Sequence, residues 1–338
     1  MFHLVQLNNG SERRVAVVHE SQLICLRNVT SVYELGKLCL DHKVTLSAYA
    51  QSLATGEILD YDAIYIGRSP WRLLAPFDVP ETPSRMLVSG TGLTHLGSAK
   101  DRQEMHAVQA GDAVGTMTDS MRMFQWGLKG GRPAPGSIGT APEWFYKGNG
   151  SVILPPFAPL TIPSYAEDGG EEAELAGAYI IGDQGDPIRI GMMVGNEFSD
   201  HKFEKRNYLN LAGSKLRSCS LGPELVVAAQ FHSVTGEVRI ERNGETLWEK
   251  EIATGEANMC HSLENLEHHH FKFDGHRQPG DAHVHFYGAQ SLSFGDGVEL
   301  RDGDWVEIHY EGFGRALRNP IQLRAQQSDR LVQAQPLT

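Results

Sequence analysis

Features that define several common protein classes are missing from this sequence. No apolar run approaches the roughly 20 residues that span a bilayer. The first residues lack a basic segment followed by an apolar core, so we expect no signal peptide. The four cysteines, Cys25, Cys39, Cys219 and Cys260, lie far apart and form no CxxC pair. This spacing argues against a disulfide framework and a cysteine zinc site, and we expect a cytoplasmic protein.

The motifs of several enzyme classes are also missing. Gly90-Thr91-Gly92-Leu93-Thr94 is not followed by the G-K-[ST] of a phosphate loop, and no G-x-S-x-G elbow of a serine hydrolase is present. His268-His269-His270 is a conspicuous run, but no HxxxH or HExxH pattern accompanies it. We therefore predict a solvated loop there, in which one histidine could be functional.

Positive charge is scarce, with 30 Lys and Arg against 42 Asp and Glu and a formal net charge of −12. Such a surface repels nucleic acid and anionic membranes, so neither is expected as a partner. It also repels a small anionic substrate at long range. A site for such a substrate must therefore be locally positive, through a bound cation or buried lysines.

The 338 residues, 41% of them hydrophobic, predict a globular protein with one small and one large domain. Residues 1–78 read as a small α/β domain, with a strand at 14–18 and one or two helices over 32–53. A proline-bearing stretch that ends near Pro83 marks the boundary. The second domain, 83–330, consists mainly of short strands between Gly, Pro and Asp residues, with a possible helix over 101–129.

Asn243-Gly244 lies between two β-prone runs and predicts a hairpin, because both turn residues tolerate a positive φ. The overall prediction is a β-rich α+β fold.

The most informative segment is acidic and begins an apolar run, Glu172-Ala173-Glu174-Leu175-Ala176. In a strand, residues two apart share a face, so both carboxylates would point the same way. Two buried carboxylates repel each other, and a hard cation that prefers carboxylate oxygens removes that cost. Taken alone, the pattern fits a solvated acidic strand end better.

Three other segments carry candidate polar residues. Glu197 follows an apolar run and would sit at a strand end, although Asn196 or Ser199 could simply form a turn or cap there. Glu143 and Lys147 flank three aromatic residues, as in a pocket wall or a packed surface loop. Lys215 could contact an anion or belong to an ordinary loop. For each segment taken singly, the interpretation as a turn, cap or ordinary loop without a role in a site is favoured.

Together, and in this order, these segments resemble the fumarylacetoacetate hydrolase superfamily. The resemblance covers about Pro83 to Ile321 and rests on seven motifs in register. They are Phe145-Tyr146-Lys147, Glu172-Ala173-Glu174-Leu175-Ala176 with Gly182, Asn196-Glu197-Phe198-Ser199, Lys215 with Leu221-Gly222-Pro223, Gly288-Ala289-Gln290, Gly303-Asp304-Trp305-Val306-Glu307, and Gly314 with Leu317-Arg318-Asn319-Pro320.

The resemblance implies a mixed β-roll or sandwich around one divalent metal, Mg²⁺ or else Mn²⁺ or Ca²⁺, in a homodimer or larger homo-oligomer. By motif position, Glu172, Glu174 and Glu197 would bind the metal. Glu143 would be a ligand, a water holder or a catalytic base. Lys215 would contact the anion of a small 2-keto acid or act as the catalytic base in place of Glu143. The other expected site residues are catalytic Ser98 and the substrate-binding residues Lys147, Ser89, Thr94, His201 and Ser291.

Three departures from the family pattern bear on these roles. Glu197 replaces the family's aspartate and is still a carboxylate, whereas His201 replaces an arginine. Ala289 replaces a threonine, so its hydroxyl contact is lost unless Ser291 supplies it.

Within the superfamily, the chain is most similar to the branch that dehydrates 2-keto-3-deoxy sugar acids. The expected reaction is dehydration of a 2-keto-3-deoxy-pentonate, such as arabinonate or xylonate, to 2-ketoglutarate semialdehyde. Family hydrolases have a histidine where Ser98 stands here, although His95 lies nearby at a tyrosine position. The alternatives are a C–C bond hydrolase of diketo acids and a non-catalytic sugar-acid binding protein.

Overall fold

The chain is described by a computed structural model that covers residues 1–107, 118–324 and 331–337. The helices in these ranges are α1 (Val32–His42), α2 (Leu46–Leu53), α3 (Tyr61–Tyr65), α4 (Leu96–Ala107), α5 (Asp119–Gly130), α6 (His201–Arg206), α7 (Leu211–Ser214) and α8 (Leu263–Phe271). None of the helices in the described part of the chain is long and apolar enough to cross a membrane.

The first nine strands are β1 (Phe2–Asn8), β2 (Arg13–His19), β3 (Gln22–Leu26), β4 (Ala54–Asp60), β5 (Arg72–Leu73), β6 (Met86–Gly92), β7 (Glu143–Asn149), β8 (Ile153–Leu154) and β9 (Leu160–Ile162). The others are β10 (Ala173–Ile181), β11 (Pro187–Asn196), β12 (Cys219–Leu221), β13 (Leu225–Val227), β14 (Val234–Arg242), β15 (Glu245–Thr254), β16 (Ala282–Phe286), β17 (Trp305–Tyr310) and β18 (Leu317–Leu323). Strands dominate, and the predicted β-rich α+β fold is confirmed.

Two sheets organise the molecule. The larger has 13 strands and runs β4-β3-β2-β1-β13-β11-β10-β16-β6-β7, with β5, β12 and β8 off this path. The smaller has five strands in the order β15-β14-β17-β18-β9. Most pairs are antiparallel, but β16–β6, β12–β8 and β18–β9 are parallel, so both sheets are mixed. One apolar core joins α1 and α2 to the large sheet, and a second lies between the sheets.

Two local predictions are confirmed by the backbone. β14 and β15 pair as an antiparallel hairpin, and Asn243 and Gly244 at its turn have φ of 56° and 80°. The predicted helices over 32–53 are α1 and α2. The side chain of Ser31 accepts the Glu34 N–H at the start of α1, and Lys43 ends that helix in the left-handed conformation.

The N-terminal segment is attached to the large sheet through main-chain pairing. β1 pairs with β13, with Leu4 opposite Leu225. Next to this pair, the buried carboxylate of Glu224 accepts hydrogen bonds from the Tyr61 hydroxyl at 2.9 Å and the Arg315 N–H at 3.1 Å. Strands from both predicted domains therefore share one sheet, and the division at residues 78–83 stays a prediction.

The predicted helix over 101–129 overlaps two helices in the described residues. α4 begins before it, at Leu96, and α5 covers its end. Residues 108–117 lie outside the described part of the chain, as do 325–330 at the predicted end of the second domain.

The expectation of a solvated loop at residues 268–270 is wrong. These three histidines form the last turn of α8, and His269 and His270 are buried. α8 packs on the large sheet, where His270 Nε2 is 3.0 Å from His283 Nδ1. The ring of His270 stacks on that of His285, with centroids 4.3 Å apart. The run of three polar residues does not reveal this burial, because it results from the packing of α8 against distant parts of the chain.

We expect the histidine cluster of His270, His283 and His285 to make the folded protein less stable in acid. Burial lowers the pKa of His283 and of His285 to about 3 each, and holds that of His270 well below its usual value. A histidine that stays neutral in the folded protein binds a proton only in the unfolded chain. Its contribution to the free energy of unfolding is therefore fully present above about pH 6.5 and is lost as the pH falls towards 3.

The test compares the wild-type protein with His283→Gln, whose amide oxygen can still accept the His270 Nε2–H. Between pH 6.5 and 5.0 we expect the wild type to lose about 2 kcal/mol more unfolding free energy than the variant, measured by urea unfolding. The control is replacement of the exposed His232, which lies outside the cluster. Equal losses for wild type and His283→Gln would refute this assignment.

Candidate metal and active site

Three buried glutamates meet where β10 begins and β11 ends. Glu172 and Glu174 lie two residues apart at the start of β10, and Glu197 directly follows β11. The two strands pair antiparallel, with Ala173 opposite Asn196, which brings the three side chains together. One carboxylate oxygen from each lies within 4.8 Å of the others. This is the set that the sequence predicted as metal ligands, and its role stays a proposal.

Two lysines and a histidine surround this triad. Lys215 Nζ is 2.6 Å from both Glu172 Oε1 and Glu197 Oε2. Lys147 Nζ is 2.7 Å from Glu197 Oε1 and donates to the Phe198 carbonyl at 2.6 Å. His201 Nε2 is 3.0 Å from Glu172 Oε1. The locally positive groups that an anionic substrate requires are therefore present, despite the net negative charge of the chain.

Two of the three carboxylates, Glu174 and Glu172, have pKa values shifted in opposite directions. Burial raises the pKa of Glu174 well above its usual value, and the nearby Glu172 and Glu197 add to the effect. Burial also acts to raise the pKa of Glu172, but Lys215 and His201 outweigh it and hold that pKa well below the usual range. Glu174 is thus the carboxylate that most lacks a cation. Its contact with the protein is a hydrogen bond from the Gly288 N–H at 2.6 Å.

The pKa values of the lysines and the histidine around the triad are also shifted in different directions. Burial lowers the pKa of Lys147, although Glu197 opposes this. For Lys215, burial is outweighed by Glu172 and Glu197, so its pKa is raised. The pKa of His201 is also raised, because Glu172 outweighs the effect of burial. Lys215 is accordingly the cation most firmly held against the triad.

One wall of the site is β7. Its side chains alternate, so Glu143, Phe145 and Lys147 are buried while Trp144 and Tyr146 are partly exposed. Lys215 Nζ lies 4.6 Å from the centroid of the Phe145 ring, which closes the pocket beside the triad. The interpretation of this segment as a pocket wall agrees with the structure, whereas the alternative of a surface loop does not.

Glu143 is held by residues that the sequence interpretation missed. Arg102 Nη1, from α4, is 3.1 Å from Glu143 Oε1 and 3.1 Å from Glu204 Oε1. The Tyr208 hydroxyl donates to Glu143 Oε2 at 2.9 Å. Arg102 and Glu204 are almost completely buried. No local motif pointed to them, since each looks like an ordinary charged helical residue.

The remaining predicted residues make contacts elsewhere. The Ser89 hydroxyl is 2.9 Å from His285 Nδ1 in the histidine cluster. Thr94 Oγ1 donates to the Tyr287 carbonyl at 2.8 Å, and Ser98 Oγ donates to the His95 carbonyl at 3.3 Å. Ser291 is buried, and its hydroxyl has no hydrogen-bond partner among the described residues. The described contacts therefore give Ser89, Thr94 and Ser98 no direct link to the triad.

The residues of the pocket fit a divalent cation. Burial and the neighbouring Glu172 and Glu197 raise the pKa of Glu174 well above its usual value, and a cation bound between the three carboxylates would offset that repulsion. The triad itself offers carboxylate oxygens, which suit Mg²⁺, Mn²⁺ or Ca²⁺. The fold and the pocket thus define a mixed-sheet protein with a buried cluster of three carboxylates that suits a hard cation.

The chain belongs to the fumarylacetoacetate hydrolase family. The family model described as "Fumarylacetoacetate (FAA) hydrolase C-terminal" matches residues 120–322. This confirms the predicted family resemblance. No curated protein matches the chain significantly.

Solved structures show the same fold. The apo form of 2-keto-3-deoxy-D-arabinonate dehydratase has a TM-score of 0.70 and 18% identity, over 96% of this chain and 100% of that chain. A second structure of that protein, "complexed with magnesium and 2,5-dioxopentanoate", gives the same values. A 5-carboxymethyl-2-hydroxymuconate delta-isomerase from Mycobacterium smegmatis has a TM-score of 0.56 and 17% identity, over 95% of this chain and 100% of that chain. At these identities the likeness concerns the fold.

Proposed function

We propose that this protein is a metal-dependent dehydratase of a 2-keto-3-deoxy sugar acid, with a 2-keto-3-deoxy-pentonate as substrate and 2-ketoglutarate semialdehyde as product. The observation that carries the proposal is the buried Glu172, Glu174 and Glu197 triad with Lys215 against it. The higher TM-score of the arabinonate dehydratase, 0.70 against 0.56 for the isomerase, supports the dehydratase branch. A cytoplasmic location and a homo-oligomeric state stay predictions.

The three glutamates would hold Mg²⁺, or Mn²⁺ or Ca²⁺ in its place. A bound divalent cation would act as a Lewis acid towards the carboxylate and keto oxygens of the substrate and make the C3 proton more acidic. Three converging carboxylates are the kind of ligand set that hard divalent cations prefer.

The chain's own groups would bind the substrate and move its protons. Lys215 and Lys147 present ammonium groups at the edge of the triad and suit the substrate carboxylate. We assign to Glu143 the removal of the C3 proton. Its carboxylate lies on the pocket wall and contacts Arg102 and Tyr208, whereas Lys215 pairs with Glu172 and Glu197. The C4–O bond then breaks, and the hydroxyl takes the same proton back from Glu143 and leaves as water. Tautomerisation of the resulting 5-hydroxy-2-keto-3-ene then gives the C5 aldehyde of 2-ketoglutarate semialdehyde. Phe145 excludes bulk water from one side.

The surroundings of His95 favour dehydration over C–C hydrolysis. A hydrolase needs a base that activates water, and His95 was the candidate near the hydrolase position. His95 is buried, with Nδ1 2.9 Å from the Thr94 hydroxyl and Nε2 3.1 Å from the Thr254 hydroxyl. Burial lowers its pKa to about 3. Both ring nitrogens are therefore engaged away from the triad.

The test is to incubate the purified protein with Mg²⁺ on 2-keto-3-deoxy-pentonates and, separately, on acylpyruvates. We expect mass spectrometry to show loss of one water from a pentonate, with no cleavage of the acylpyruvates. A matched reaction with excess chelator should be inactive. Cleavage of acylpyruvates without water loss from the pentonates would make the protein a C–C hydrolase, and binding without turnover of either would make it a binding protein.

A further inference from the structure

Arg102 occupies an unusual position, because its buried guanidinium contacts two acidic side chains from different elements. Arg102 Nη1 lies 3.1 Å from Glu143 Oε1 on β7 and 3.1 Å from Glu204 Oε1 on α6. All three side chains are nearly or fully buried. A buried arginine requires such partners, since an unpaired charge away from water is very costly.

The two contacts differ in kind. Arg102 donates a hydrogen bond to Glu143. Glu204 faces the same nitrogen only as a charge, since neither of its carboxylate oxygens has a hydrogen-bond partner among the described residues. Burial raises the pKa of Glu204, although Arg102 opposes this. Glu204 is therefore a second acceptor for Arg102, placed beside the one in use.

Glu143 is enclosed on three sides. Arg102 contacts one carboxylate oxygen, and the Tyr208 hydroxyl donates to the other at 2.9 Å. A Cβ at Gly92 would collide with Glu143 Oε1, so only a glycine on β6 leaves room for this carboxylate. The rotamer of Glu143 is thus determined by its neighbours, and Arg102 supplies the only full positive charge among these contacts.

We propose that Arg102, backed by Glu204, is a positioning residue that sets the orientation of the Glu143 carboxylate for proton removal. This inference rests on the proposed function. When Glu143 accepts the C3 proton, it loses its negative charge, and the guanidinium then needs another anionic partner. Glu204 is in place to take that role without movement of the backbone. The proton passes from substrate carbon to the Glu143 oxygen, and Arg102 keeps all of its protons.

The experiment uses the full-length protein with Mg²⁺ and the pentonate, in the variants Arg102→Gln, Arg102→Lys, Glu143→Gln and the Arg102→Gln/Glu143→Gln double mutant. Arg102→Gln should lower kcat about 10- to 100-fold with little change in KM, because a misplaced base affects the chemical step more than binding. Arg102→Lys should recover part of this loss. In the Glu143→Gln background, Arg102→Gln should have no further effect on kcat, since the group it positions is gone.

Mn²⁺ affinity separates this role from general damage. Removing a positive charge beside an acidic pocket should leave Mn²⁺ binding unchanged or tighter, whereas a collapsed site would bind Mn²⁺ more weakly. The control is Arg122→Gln, because Arg122 is exposed on α5 and pairs with Asp119. Multiplicative losses of kcat in the double mutant, or a loss expressed in KM alone, would overturn the inference.

The inference can fail separately from the proposed function. If the wild type dehydrates no sugar acid, the proposed function is wrong, and the urea midpoints of the same variants then test whether Arg102 holds Glu143 in place. A midpoint shift for the double mutant smaller than the sum of the single shifts would support the Arg102–Glu143 contact. Additive shifts would refute it, whatever reaction the protein catalyses.

Discussion

Replacing Glu174 with glutamine should abolish turnover and lower the affinity for Mg²⁺ or Mn²⁺ by on the order of 100-fold or more, since even substitutions outside the ligand set cost 10- to 100-fold. The amide has nearly the shape of the carboxylate and can still accept the Gly288 N–H. Because burial and the neighbouring carboxylates raise the pKa of Glu174, an uncharged side chain is well tolerated at this position. The variant should therefore fold as well as the wild type while losing the charge that a cation needs.

The matched control is Glu171→Gln. Glu171 is equally buried, but its carboxylate accepts from the N–H and hydroxyl of Ser293 at 2.7 Å each. That substitution should leave Mn²⁺ affinity within a few-fold of the wild type, measured by titration of the metal-free protein. If Glu174→Gln kept full activity in excess chelator, neither the metal nor this ligand would be needed.

Replacing Lys215 with methionine should reduce kcat/KM by about 10²- to 10⁴-fold. Methionine keeps much of the aliphatic length but has no N–H donors for the substrate carboxylate. Because Lys215 neutralises Glu172 and Glu197, its removal should not weaken metal binding and should make the metal-free protein less stable by about 3–5 kcal/mol. Turnover is therefore measured in saturating Mg²⁺, and unfolding with and without the metal.

Lys202→Met serves as the control for Lys215, because Lys202 is partly exposed on α6 and pairs with Glu299. Its turnover should match that of the wild type. A crystal structure in which Lys215 points into bulk solvent would remove it from the site, as would wild-type turnover by Lys215→Met.

The parts of the site that the sequence could predict are those that a local period or a motif specifies. The two-residue spacing of Glu172 and Glu174 fixes their common face in any strand, and Asn243-Gly244 specifies a hairpin by its backbone preference alone. Arg102 could not be found in this way. It contacts Glu143 from 41 residues away and acquires its role only when α4 folds against β7.

For His268-His269-His270 and for Ser89, tertiary packing gave an environment different from the one that the sequence predicted. His268-His269-His270 is polar in sequence, but two of the three residues are buried, and His270 packs against His283 and His285 of the sheet. Ser89 has the right residue type for a substrate contact, yet its hydroxyl lies on the face of β6 where α8 packs, 3.4 Å from His270 Nδ1. Which face of a strand receives a pocket depends on the elements packed above it, and these come from distant parts of the chain.

The alternation along β7 constrains how this protein can change in evolution. Residues 143, 145 and 147 face the proposed metal pocket, whereas Trp144 donates a hydrogen bond to His270 on the opposite face. A single inserted or deleted residue would exchange the two sets and disrupt both environments at once. Length variation among descendants should therefore be confined to the segments that flank the strand, while point substitutions on its two faces can accumulate independently.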